Sequence, residues 1–205
     1  MKPITWLGDS LDQVRAFPGD ARREAGFELG EVQKGLDPSD WKPITVVGSG
    51  VKEIRIHTEN EYRVMYVAKF AEAVYVLHAF TKKTQQTPKK EIDLASQRYC
   101  ELVNDRNLAM ATKLNVTIGS GNVFRDIGFP EGEAENLLLR SELMSQVREV
   151  ARGYTQQAAA KMLGITQPRL NQLLKGKISL FSLDALVNML AKAGMRVSMK
   201  VKKAA

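Results

Sequence analysis

One stretch limits the possible folds more than any other: residues 154–177, YTQQAAAKMLGITQPRLNQLLKGK. Thr155 is an N-cap residue placed before QQAAAKML, a run of strong helix formers. Gly164 follows Met162 and Leu163 and can take the positive φ that ends a helix. Ile165 is an apolar plug in the turn. Thr166 is a second N-cap, and Pro168 stands in the first turn of the next helix, where its missing N–H does no harm. Leu170, Leu173 and Leu174 fall at i, i+3 and i+4 and form one apolar face. Ala159 and Ala160 are small where two helices cross closely. The spacing predicts two short helices joined by a tight turn.

Two helices so spaced match a DNA-binding helix-turn-helix. The pattern TQ-x-x-x-A-x-x-x-GI-T-Q-x-x-L-N-x-L-x-x-GK resembles the Cro/repressor-type (Xre) family. The resemblance implies that the helix from Gln167 to Lys175, capped by Thr166, enters the major groove of an operator. Its outward residues are Gln167, Arg169, Asn171, Gln172 and Lys175. Glutamine and asparagine pair bidentately with adenine, and arginine with guanine. Gln156, opening the preceding helix, holds a phosphate on this reading, and Lys175 and Lys177 add phosphate contacts.

The charge distribution agrees. Residues 1–109 hold 16 Lys+Arg and 16 Asp+Glu, whereas residues 110–205 hold 14 and 7, so the net +7 belongs wholly to the second half. That asymmetry points to a nucleic-acid-binding domain attached to something of different character. A hydrophobic fraction of 44% supports an ordinary core. The lone cysteine, Cys100, excludes an internal disulfide. Two histidines, His57 and His78, with no CxxC make a zinc site untenable, and no cofactor is expected. No apolar run reaches the length of a signal peptide or a membrane span, so a soluble cytoplasmic chain with no membrane partner is expected.

Around the helix pair, residues 131–153 read as a long helix and 183–194 as another, ended by Gly194. MRVSMKVK (195–202) alternates in polarity and reads as a strand. A lone strand needs a partner. Pairing with its twin gives a homodimer suited to a palindromic operator; pairing with KLNVTI (113–118) is the alternative.

In the first half, PITWL (3–7) predicts a strand, and residues 10–17 and 19–34 two helices divided at Pro18–Gly19. Residues 36–44 are turn-rich. Strands follow at 51–58, 61–70 and 73–83, with gaps short enough for hairpins, so the sheet is largely antiparallel. A closing helix spans 88–103, with Ile92, Ala95, Tyr99, Leu102 and Val103 as its stripe and Cys100 beside it as a buried thiol. The fold class is α+β followed by a mostly helical domain with a terminal strand. Residues 63–90 carry Arg63, Lys69, Lys82, Lys83, Lys89 and Lys90 against Glu72 alone, inside a half whose total is zero. Tyr62, Tyr66, Tyr75 and Phe80 are interleaved. Cations for phosphates and rings for bases are what single-stranded RNA requires. Period-two counting puts Arg55 with Glu53 and His57 on one face, and His78 with Phe80 and Lys82 on one face.

The segments WLGDS, EAGFELG-x-VQ-x-G, PSDWKP, G-x-GV-x-EIR, YRV-x-YVAKF and VYVLHAF-x-KKT-x-x-TP resemble HigB-type toxins, phage-associated members of the RelE superfamily of ribosome-dependent mRNA endonucleases. From about Gly119 the second half resembles the matching HigA-type antitoxin. The resemblance implies a toxin domain (1–103), a linker (104–122) and an antitoxin domain (123–205). Met110, in NLAMATKLN, resembles the former start of the antitoxin. A natural fusion, an engineered single chain and two chains set end to end all fit that join. The implied reaction is cleavage of mRNA on the ribosome without metal. Arg55 and Arg63 would meet transition-state charge, and Lys82 and Lys83 the phosphate or a proton. Phe80 would stack on a base, with His78 and Lys89 also facing RNA. The implied regulation is an intrachain toxin–antitoxin contact and repression of the chain's own operator. The alternative is a sequence-specific transcriptional regulator whose first half is an inert partner domain.

Overall fold

The computed structural model describes residues 1–108 and 115–198. Its contacts divide the chain into two compact units, with the division at Leu138. Met110 lies outside the described residues.

The first unit is built on a sheet with strand order β2-β3-β4-β5-β1-β6. The strands are β1 (Ile4–Leu7), β2 (Trp41–Pro43), β3 (Val51–His57), β4 (Glu61–Val67), β5 (Val74–Lys82) and β6 (Val116–Ile118). Short hairpins make β3, β4 and β5 antiparallel, as expected, whereas β1 runs parallel to β5. Helices α1 (Ser10–Arg15) and α2 (Gly19–Gln33) connect the first two strands. They cover one face of the sheet, where Phe17 meets the Tyr62 ring at 4.7 Å between centroids. Helix α3 (Lys89–Leu108) covers the other, over a core that includes Leu7, Val51, Met65, Val67 and Leu77.

A β-bulge decides what faces α3. Tyr66 pairs with Val76, but Met65 pairs with His78, so Leu77 is the extra residue. Two successive side chains then point to the same side. Leu77 joins the α3 core and His78 contacts α3 directly.

Three sequence expectations change here. The turn-rich stretch 36–44 contains β2, which forms a sheet edge and so tolerates Pro43. Cys100 is exposed, because it follows the core-facing Tyr99 by one helical step and is carried out of the stripe. Met195–Ser198 forms no strand, and the remainder of that expected strand lies outside the described residues.

The stretch expected as a linker is structured at both described ends. Residues 104–108 continue α3. Residues 116–118 pair with β1 antiparallel, Thr5 with Ile118 and Leu7 with Val116. Asn122 then caps α4 (Val123–Asp126), accepting from the N–H groups of Phe124 and Arg125. Helix α5 (Glu131–Ala151) follows.

The second unit contains α6 (Gln156–Leu163), α7 (Gln167–Leu174), the 3-10 turn 178–180 and α8 (Leu183–Lys192). Thr155, Thr166 and Ser182 cap α6, α7 and α8 through their side-chain oxygens. Gly164 ends α6 with φ 66°, in the left-handed region that favours glycine. Ala159, Leu163, Leu170, Leu173, Ile178, Phe181 and Leu186 are buried and form its core. Among the described residues no helix is long and apolar enough to cross a membrane.

Candidate functional site

On the α3 face the register sets out three cross-strand rows. His57 lies opposite Glu61, which lies opposite Lys82. Arg55 lies opposite Arg63, which lies opposite Phe80. Glu53 lies opposite Met65, which lies opposite His78. Two arginines directly across a strand pair repel one another unless anions separate them.

Anions do so here, in a continuous chain. Arg55 pairs with Asp40 at 2.5 Å, and Asp40 reaches His57 at 2.8 Å. The other nitrogen of His57 lies 2.8 Å from Glu61. Arg63 donates to Glu61 at 2.7 Å and to the Tyr62 carbonyl at 2.8 Å. Behind it stands Glu53, 3.6 Å from both Arg63 and Lys42. Arg63 is 4% exposed and Glu53 1%. The Glu53 carboxylate oxygens and Arg63 Nε are buried and make no hydrogen bond among the described residues, so the pair is held by charge alone.

A second group lies toward α3. His78 Nε2 is 2.6 Å from Glu91, and its Nδ1 is 3.4 Å from Arg98. Arg98 donates to the Leu77 carbonyl at 2.9 Å and to Asp9 at 2.5 Å. The Phe80 ring stacks on His78 at 5.5 Å. Both rings are buried, at 6% and 3% exposure. Tyr62 and Tyr66, expected to interleave with the cations, are buried on the opposite face of β4.

Lys82 is half-buried, and Lys83 and Lys89 are exposed. None has a carboxylate partner among the described residues. Lys82 lines a cleft of about 350 Å³ whose floor is Ile44, Met65 and Ile92 and whose rim adds Lys42 and Gln86. Such a cleft offers an apolar bed for a base and cations for phosphates. Sequence reasoning placed Glu53 beside Arg55 but missed Lys42, Asp40 and Glu61 as parts of this face. Glu61 sits two residues from Arg63, which is the signal that could have found it.

The carboxyls of Glu61 and Asp9 are both shifted. Hydrogen bonds from His57 and Arg63 hold Glu61 below the usual glutamate value, against a weaker opposing effect of burial. Burial raises Asp9, but hydrogen bonds from Arg98 and Gln13 outweigh it and leave Asp9 low. A carboxyl whose folded pKa is depressed contributes stability above its unfolded pKa, and that contribution is lost as pH falls through the folded value. Stability of the first unit should therefore decline below about pH 4. Urea midpoints measured across the acid range test this. Glu61→Gln combined with Asp9→Asn is expected to flatten the acid limb, and an unchanged limb in that variant counts against the assignment.

In the second unit Gln156, Thr166, Gln167, Asn171, Gln172 and Lys175 are exposed together along α6 and α7. Arg169 is half-buried. Its guanidinium lies 4.3 Å above the Phe181 ring and donates to the Leu180 carbonyl. It is thus anchored within its own unit and also donates to the Gln172 amide oxygen at 3.4 Å, while Gln167 and Asn171 present exposed amide groups of the kind that read adenine.

The chain joins an α/β domain with a basic cleft to a helix-turn-helix domain of the DNA-binding type. Residues 12–100 match the phage-derived Gp49-like protein family, and residues 123–202 match a helix-turn-helix family. No curated protein matches the chain. Together the two family matches fit a toxin–antitoxin module in one chain, with an endoribonuclease toxin suggested by the first.

Proposed function

We propose that the first half is a HigB-type, ribosome-dependent mRNA endoribonuclease. The second half is then a HigA-type antitoxin that silences it and represses its own operator. The observation that carries this reading is the cleft under Lys82: apolar floor, lysine rim, and, among the described residues, no carboxylate on Lys82 to compete with a phosphate.

In the proposed reaction a ribose 2′-oxygen attacks the adjacent phosphorus. Its proton leaves, a 2′,3′-cyclic phosphate forms, and the 5′-oxygen departs with a proton. No metal is needed where fixed cations meet the charge of the phosphorane. Lys82 and Lys83 bind the phosphate and serve in proton transfer, and Lys89 extends the basic track. Arg55 and Arg63 stand one row behind and supply positive potential. His78, held between Glu91 and Arg98, stacks on Phe80 and fixes that ring.

The test compares residues 1–109 alone with residues 1–205 under a tight promoter, following growth and mRNA ends. Residues 1–109 should arrest growth with cuts inside translated codons, and the intact chain should not. Lys82→Ala in the fragment should lower cleavage about 100-fold, the usual loss when one stabilising donor is removed. That variant also separates cleavage from simple aggregation. The pairing of both arginines with carboxylates favours a second reading, a DNA-binding regulator with an inert first half. It predicts that neither form affects growth.

A further inference from the structure

Residues 123–135 belong to the second half by family match, yet they and Asn122 before them fold with the first unit. They cover a group of three arginines on α1 and α2. Arg15 donates to the Asp126 carbonyl at 2.8 Å, and Arg22 to the Ile127 carbonyl at 3.4 Å. Arg23 holds Glu133 through Nε at 3.2 Å and Nη2 at 2.8 Å. The guanidinium carbons of Arg22 and Arg23 lie 4.4 and 5.3 Å from the Phe129 ring centroid. Phe129 is 5% exposed, and Phe124 and Ile127 are fully buried.

This cover leaves Arg22 poorly satisfied. Its Nε is buried with no partner, its two contacts to carbonyls are 3.4 and 3.5 Å long, and no carboxylate pairs with it among the described residues. Arg22 and Arg23 also sit near the N-terminal, positive end of α2, where basic residues are disfavoured and an anion is welcome. Asp20 in the first turn already meets Arg23 at 3.1 Å, so it is Arg22, met by carbonyl oxygens among the described residues, that is open to an anion.

We infer that Arg15, Arg22 and Arg23 form an RNA-binding surface of the first half, and that residues 122–135 occupy it by presenting RNA-like chemistry. Carbonyl oxygens and the Glu133 carboxylate stand where phosphates go. The Phe129 ring stands where a base stacks on guanidinium planes. This surface lies on the α1–α2 face of the sheet, opposite the Lys82 cleft, so it anchors RNA rather than cutting it. The inference rests on the reading of the first half as an RNA-acting toxin. The antitoxin segment then competes with RNA directly, and an RNA of sufficient affinity displaces it.

Gly26 provides a mild way to open the cover. A Cβ there would lie 2.6 Å from the Phe124 ring, and its nearest neighbours are all on Phe124 and Ile127. Gly26→Leu therefore strikes the segment while favouring the α2 helix itself. Phe124→Glu is an independent second route. Hydrogen exchange over residues 122–135 of the full chain reports release. Anisotropy of a labelled short single-stranded RNA, with excess unlabelled duplex DNA to occupy the helix-turn-helix, reports binding.

Release should raise RNA affinity about tenfold or more, as two or three recovered phosphate contacts imply, and the gain should shrink steeply with salt. Adding Arg22→Gln and Arg23→Gln should remove the gain. The inference fails if the segment is released and affinity does not change. It fails equally if the gain survives the glutamines, or if neither variant releases the segment. Cleavage of translated mRNA is scored separately. Arginine-dependent binding without cleavage upholds the surface and overturns the endoribonuclease reading. Cleavage without arginine-dependent binding does the reverse.

Discussion

Arg63→Ala is expected to cost the first unit about 3–5 kcal/mol, the range found when one partner of a buried ion pair is removed. That is a large share of the roughly 5–15 kcal/mol that holds an ordinary domain together. Arg63 is 4% exposed and touches Glu61, Glu53 and the Tyr62 carbonyl. Among the described residues its removal leaves Glu53, itself 1% exposed, with Lys42 at 3.6 Å as its remaining cation. A charge so placed cannot be rehydrated without opening the sheet. Glu53→Leu together with Arg63→Met should cost less than Arg63→Ala alone, because no charge is stranded. Both tryptophans, Trp6 and Trp41, lie in the first unit, so the urea midpoint of tryptophan fluorescence reads this transition. A wild-type midpoint for Arg63→Ala would falsify the buried network. Lys82→Ala, at the cleft rim, should stay within about 0.5 kcal/mol of wild type. The contrast matters for any activity assay: loss of cleavage in an Arg63 variant reports stability first, whereas loss in a Lys82 variant reports chemistry.

The same residues show what was legible in the sequence. Alternation located β3, β4 and β5, and period-two counting placed Arg55 with His57 and His78 with Lys82 on shared faces, because both facts are local to one strand. Caps at Thr155 and Thr166 and the left-handed Gly164 located α6 and α7 for the same reason. The ion chain was not legible, since it depends on which strands are neighbours and on their register. The bulge at Leu77 adds a further shift that no periodicity announces. The short elements β2, β6 and α4 have too few residues to show a period. The burial of Tyr62 and Tyr66 was within reach: both alternate with Arg63 and Met65 and so had to face the other way. What stood for a flexible join at residues 115–122 is a strand and a capped helix start, because its backbone groups are satisfied by β1. Gly8 donates to the Asn115 carbonyl at 2.8 Å, and Gly119 to the Ile4 carbonyl at 2.9 Å.

Phe181→Ala should remove DNA binding from the second unit. Phe181 is 1% exposed, and truncating a buried phenylalanine costs about 3–5 kcal/mol. A unit of this size has little surplus stability to absorb that loss. Helical circular dichroism should melt well below the wild-type temperature, and binding to duplex DNA from upstream of the chain's own coding sequence should disappear with it. Phe181→Leu is the decisive companion. It keeps most of the volume, which usually limits the cost to below about 1.5 kcal/mol, but it removes the ring beneath Arg169. If the ring serves only the core, Phe181→Leu binds DNA as wild type does. The geometry favours a different outcome. Arg169 ties α7 to the turn at 178–180 through the Leu180 carbonyl and the Phe181 ring, and that tie fixes the angle at which Gln167, Asn171 and Gln172 are presented. Phe181→Leu should then fold and still bind DNA several-fold more weakly, and Arg169→Ala should reproduce the defect without adding to it when the two are combined, as coupled residues do.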